Sequence, residues 1–147
     1  MDDSLFTYPG AAPATEGGAA LLRDAGERAW ALVREHAPAR RYRPGEPVVA
    51  AGADERCLWI VADGLVEVAD GRHRAEIGAG GVFGELGFLD GAPSAVRVRA
   101  RTDATVLRLT LDGFEVLAGK DPALARRLLF DLARVLAVRL RDLRRLA

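Results

Sequence analysis

The sequence predicts a mainly β domain, an antiparallel sandwich or barrel flanked by an N-terminal helix and a long C-terminal helix. Three observations carry this expectation. Short apolar runs follow one another at roughly 8–12-residue spacing with no helical stretch between them. Turn signals separate the runs: Pro44-Gly45, Asp63-Gly64, Asp70-Gly71 and the Gly78 to Gly81 cluster. Apolar residues recur at helical spacing only near the two ends of the chain.

Residues 1–18 are rich in Gly, Ala and Pro and read as a flexible tail, with Phe6 and Tyr8 as its candidate docking groups. Residues 19–147 read as one domain. Its first element is a helix over 19–37, where Leu21, Leu22, Ala25, Ala29, Leu32 and Val33 recur at three- and four-residue spacing. Pro38 stops it. The β segment spans 40–110, with strands at Val48-Val49, Cys57 to Val61, Leu65 to Val68, His73 to Ile77, Val96 to Ala100 and Thr105 to Leu109. Residues 96–101 alternate cleanly: Val96, Val98 and Ala100 on one face, Arg97, Arg99 and Arg101 on the other. One face of that strand belongs in a core and the other in water.

Residues 111–147 are helical again. A short helix begins at Leu111-Asp112-Gly113-Phe114, with Thr110 or Asp112 as its cap. A long helix of about 25 residues starts at Asp121-Pro122, an N-cap residue followed by proline at the first helical position. Its stripe includes Leu124, Leu128, Leu129, Leu132, Val135, Leu136, Leu140, Leu143 and Leu146. The first half suits packing on the β segment; the second, set among arginines, is expected to pack on something else. Leu129, Leu132, Leu136 and Leu143 approximate a heptad seam.

The 147 residues suffice for one domain with a real core, and no second domain is expected after them. A formal net charge of zero gives no overall pull toward nucleic acid or an acidic membrane. The C-terminal segment differs: from Lys120 onward seven arginines and one lysine face Asp121, Asp131 and Asp142, leaving five excess positive charges. A solvated basic helix face, which complements the helix dipole, is the favoured reading of these; a binding surface for nucleic acid, acidic lipid or an acidic partner is the sharper alternative. Lys120 is the sole lysine, a usage typical of a GC-rich bacterial genome. Cys57, the only cysteine, cannot form an internal disulfide and reads as a buried, inert thiol. His36 and His73 lack partners at metal-ligand spacing and read as surface residues. Trp30 and Trp59 read as core or helix-docking residues. Asp2 and Asp3 open the chain where a signal peptide would be basic, and no apolar run is long enough to span a membrane. A cytoplasmic protein is expected. No nucleophile–base pair stands out and Ser94 has no nucleophile-elbow surroundings, so no catalytic residue is assigned and no enzyme is expected.

The landmarks arrive in a recognisable order. Tyr42-Arg43-Pro44-Gly45-Glu46 and Gly52 come first, then Leu58-Trp59-Ile60-Val61 and Asp63-Gly64-Leu65-Val66-Glu67-Val68. Gly80 through Leu89 (GGVFGELGFL), Ala100-Arg101-Thr102, Phe114 and Leu136 through Leu140 complete the set. With these, residues 40 to 147 resemble the cyclic-nucleotide-binding domain family, of the catabolite activator protein and protein kinase A regulatory subunit type. The resemblance implies an antiparallel β-roll (a double-stranded, jelly-roll-like β-helix) and a ligand such as cAMP or cGMP. It places the ligand site at Phe83, Gly84, Glu85, Leu86, Gly87, Ser94 and Ala95. Glu85 corresponds to the family's ribose-hydroxyl acceptor, and the short helix after it to the element whose amides face the phosphate.

The chain departs from that pattern at one position. The family carries an arginine after the proline, where it pairs with the phosphate; here Pro93 is followed by Ser94 and Ala95. A charge-assisted bond contributes about 1.5–3 kcal/mol, so its absence weakens binding by about 10- to 150-fold. Ser94 is left with one neutral hydrogen bond to offer. Arg97 is expected to point to solvent, whereas Arg134 or Arg139 on the last helix can reach over the pocket mouth. The expectation is a stand-alone regulatory module that binds cAMP or a related phosphate ligand weakly or atypically. It would signal through its C-terminal helix to a protein partner or a second copy, with no DNA-binding domain, cofactor or metal of its own. The alternative is a binding-dead roll serving as a dimerisation or adaptor module.

Overall fold

The computed structural model describes residues 21–71 and 73–146, and the surroundings of side chains as far as Asp142; the tail expected at 1–18 lies outside the described residues. The strand β3 (Cys57–Asp63) explains the architecture. Its run from Cys57 to Val61 is apolar throughout because both faces are covered. Cys57, Trp59 and Val61 face the interior of the roll, while Leu58 and Ile60 face a layer of helices. Around β3 a four-stranded antiparallel sheet forms in the order β1 (Ala39–Tyr42), β8 (Ala104–Thr110), β3, β6 (Val82–Phe83). A second sheet runs in the order β2 (Pro47–Val49), β7 (Arg97–Ala100), β4 (Val66–Asp70), β5 (His73–Ile77).

Two cores result. Between the sheets lie Trp59, Val61, Val66, Val68, Phe83, Val98 and Val106. On the outer side of the first sheet, Leu58, Ile60, Leu107 and Leu109 pack against Val33 of α1 (Glu27–His36), Leu117 of α3 (Leu111–Lys120), and Leu124, Leu128, Leu132 and Val135 of α4 (Pro122–Leu146). Each such fully buried aliphatic side chain contributes about 1.5–3 kcal/mol of transfer free energy. Mainly antiparallel sheets with flanking helices, the β-roll, are therefore the observed fold, with eight strands among the described residues.

Start signals act as expected. Thr110 caps α3 by accepting from the Gly113 N–H at 2.9 Å, and Asp121 caps α4 by accepting from Leu124 at 3.0 Å. In β7 the valine and alanine are buried and the arginines exposed.

Four expectations need correction. The N-terminal helix occupies Glu27–His36 rather than 19–37, because Gly26 at φ 90° breaks the run and residues 21–24 form a turn. That turn places Leu21 and Leu22 in the helical core, and the buried Asp131 carboxylate accepts the Leu22 N–H at 2.9 Å. The heptad seam loses Leu132, which is buried in the domain's own core, while Leu129 is exposed and Leu136 half-buried; the Leu143 side chain lies outside those described. His36 is half-buried, and its Nε2 has no hydrogen-bond partner among the described residues. Finally, the second half of α4 is not all unengaged, since Arg139 is buried.

Candidate functional site

A strand, a glycine and a one-and-a-half-turn helix build the site. β6 pairs with β3, setting Phe83 opposite Trp59; their rings stack with planes 3° apart and centroids at 5.9 Å. Gly84 then turns the chain at φ 79° into α2 (Glu85–Asp90). A Cβ on Gly84 would stand 2.7 Å from Trp59 Cδ1 and 2.9 Å from the Cys57 carbonyl oxygen, so both conformation and space demand glycine here. At the other end of α2, Arg56 closes the helix by donating from Nε to the Phe88 carbonyl at 2.9 Å and from Nη2 to the Leu89 carbonyl at 2.8 Å. The chain returns past Asp90, whose carboxylate accepts the Ala92 N–H at 2.8 Å. It is pinned at Ser94, which donates its backbone N–H to Ala53 and accepts from the Gly52 N–H.

These segments enclose a cavity of about 230 Å³. All seven residues expected at the site line it: Phe83, Gly84, Glu85, Leu86 and Gly87 from one side, Ser94 and Ala95 from the other. The sequence reading missed other lining groups, notably Glu55, Cys57, Trp59 and Asp90. Burial pushes the Cys57 thiol up from its ordinary range, so it stays protonated at neutral pH.

Glu85 is almost fully buried, and a guanidinium holds it. Arg139 of α4 places Nη1 at 2.5 Å from Glu85 Oε1 and donates from Nη2 to the Val82 carbonyl at 2.6 Å. Neither helix arginine expected over the mouth lines the cavity: Arg139 is buried against Glu85 and the Val82 carbonyl, and Arg134 stands 3.9 Å from Asp131. Ser94 does not offer the hydrogen bond foreseen for it. Its hydroxyl donates to the Val96 carbonyl at 2.6 Å and accepts from the Val96 N–H at 3.3 Å, a local turn that consumes the one hydrogen it has. Arg97 is exposed on the outer face of the second sheet. No lining residue among those described is Lys, Arg or His.

A β-roll whose pocket is framed by a strand–glycine–helix cassette, with a C-terminal helix tied to that cassette through Arg139 and Glu85, defines a class of regulatory ligand-binding domains. The match to known proteins makes the class specific. The cyclic nucleotide-binding domain model covers residues 39–121, and the chain belongs to that family. It is 34% identical over 126 residues to Glutaminase 2 of Bradyrhizobium diazoefficiens, covering 84% of this chain and 20% of that protein. It is 37% identical over 99 residues to the HTH-type transcriptional regulator Cmr of Mycobacterium tuberculosis, covering 64% and 41% respectively. The crystal structure of Thermus thermophilus catabolite activator protein aligns with a TM-score of 0.70 at 25% identity, covering 86% of this chain and 59% of that one. The chain thus spans about a fifth to two-fifths of these curated relatives. Among the described residues no helix is long and apolar enough to cross a membrane.

Proposed function

We propose that this chain is a cytoplasmic, non-enzymatic regulatory module that takes a small ligand in the cassette pocket and reports occupancy through α4 to a protein partner. The contact between Arg139 and Glu85 carries the reading. Glu85 is the acceptor a hydroxyl-bearing ligand meets at the pocket wall, and the same carboxylate anchors the final third of α4. A ligand that engages Glu85 shares or displaces the guanidinium, so the free energy of binding is linked to the position of the helix. Beyond that anchor α4 shows exposed Leu140, and earlier Leu129 and Phe130, which offer a partner apolar surface. Cyclic AMP and cyclic GMP bind weakly, because Ser94 stands where the family has its phosphate-pairing arginine and its hydroxyl hydrogen is already used. The alternative of a binding-dead dimerisation or adaptor roll draws on the same exposed side chains, but Leu132 is unavailable to its seam.

Hydrogen exchange tests the coupling. With millimolar cyclic AMP or cyclic GMP, amides over residues 135–142 are expected to change protection by about tenfold, and Arg139→Met is expected to abolish that change while the β-roll amides stay protected. Identical α4 exchange with and without either ligand would sink the reading.

A further inference from the structure

We infer that the cassette pocket selects an uncharged or cationic, hydroxyl-bearing molecule over a phosphate anion. This rests on the pocket being the ligand site, and it names the chemistry that site accepts.

The charged side chains lining the cavity are all acceptors. Three carboxylates, Glu55, Glu85 and Asp90, contribute to the wall, and no cationic side chain does so among the described residues. The Ser94 hydroxyl, the one alcohol in the lining, is turned to the Val96 carbonyl. The guanidiniums close by are each engaged elsewhere. Arg139 is bound to Glu85 and to the Val82 carbonyl. Arg56 directs its Nε and Nη2 to the carbonyls that end α2. Arg108, one strand beyond Trp59, lies over that indole at 5.6 Å and 3.5 Å from Glu55. The six-residue α2 is too short to supply a comparable positive field by itself. The three carboxylates are not equivalent either. Asp90 has no cation within ion-pair distance among the described residues, and its contact is the neutral Ala92 N–H.

An anion entering this cavity loses its hydration and meets oxygen lone pairs, so both desolvation and Coulomb repulsion oppose it. A hydroxyl or an ammonium meets the same lone pairs as a donor and is stabilised. Apolar surface for the rest of such a ligand comes from Trp59, Val49, Val98 and Leu86. Specificity here is a difference between two affinities, and it is set by what the wall repels as much as by what it attracts.

A matched pair of ligands isolates the charge. Adenosine and 3′,5′-cyclic AMP share base and sugar ring and differ by the phosphodiester. Calorimetry on the full chain should give at least a tenfold tighter dissociation constant for adenosine. Asp90→Asn keeps an oxygen to accept the Ala92 N–H and removes the charge; it should strengthen cyclic AMP binding severalfold and leave adenosine within about twofold. Equal or tighter binding of cyclic AMP by the unaltered chain overturns the inference. So does silence toward both ligands at millimolar concentration, or an Asp90→Asn variant that shifts both alike. The α4 coupling fails separately, by unchanged exchange over residues 135–142 when a bound ligand of either kind is present.

Discussion

Two concavities share the strand β7 and differ in charge. Inside the roll, Val96 and Val98 help line the cassette pocket, whose polar wall is Glu55, Glu85 and Asp90. On the outside of the second sheet, Arg97 and Arg99 border a groove of about 470 Å³ together with Arg74 and Glu67. Arg99 binds Glu67 at 3.0 Å, and Arg101 lies 3.4 Å from Glu76. Arg97 and Arg74 are both in register with Ala69 of β4, one from each neighbouring strand, and neither has a carboxylate partner among the described residues. The pleat makes this division. A period of two puts every second residue of Arg97-Val98-Arg99-Ala100 on the same face, so the cationic charge stands outside the roll and the pocket receives none of it. Charge in a β-roll is placed by strand parity more than by closeness along the chain: Arg97 is three residues from Ser94 and serves a different surface.

The largest effect expected from this contrast is on stability. Gly84 lines the pocket and Gly45 the groove, both at positive φ. A Cβ at Gly45 meets open space, whereas at Gly84 it collides with Trp59 and the Cys57 carbonyl. Urea denaturation should show Gly45→Ala costing about 1–2 kcal/mol from the left-handed backbone alone. Gly84→Ala adds an overpacking cost and should lose about 2–5 kcal/mol in all. Similar losses at both sites would mean the cassette is not the tightly built of the two.

A change of intermediate size moves charge across the sheet. Ser94→Arg installs a cation in the pocket and should raise cyclic AMP affinity by about 10- to 150-fold in calorimetry, reversing the preference for the nucleoside. An unchanged affinity would show that the wall of carboxylates, rather than the missing arginine, decides the matter. The smallest effect belongs to the groove. Arg74→Ala and Arg97→Ala remove exposed guanidiniums that have no carboxylate partner among the described residues, and should each leave stability within about 0.5 kcal/mol and pocket affinity unaltered. A loss of pocket affinity in either would break the separation of the two sites.

Much of this could be read from the residues before any coordinates. The alternation at 96–101, the two-sided apolar run of β3, the Asp121-Pro122 start and the Gly84-Glu85 turn are local patterns, each set by dihedral geometry or burial within a few positions. What escaped was non-local. Arg134 and Arg139 are alike in the helix pattern; that Arg139 is the buried one depends on Glu85 arriving from a strand–helix turn 54 positions earlier. The turn at 21–24 hides in a helical pattern because Leu21 and Leu22 fit that periodicity while following a different backbone. Ser94 looked like a free donor because the competing acceptor, the Val96 carbonyl, is a backbone group that no side-chain pattern reveals.

The hydrogen bond from Leu22 to Asp131 joins positions 109 apart. The helical core likewise draws on Val33 near one end and Leu132 and Val135 near the other. A chain emerging from the ribosome can close its two sheets once residue 110 has cleared the exit tunnel, and its first helix can rest on α3, yet the turn at 21–24 lacks its Asp131 anchor until α4 follows. That turn is therefore made well before the segment it settles on, and a nascent chain stalled before Asp131 leaves the part of the outer apolar face that α4 covers exposed, a patch that holding chaperones bind.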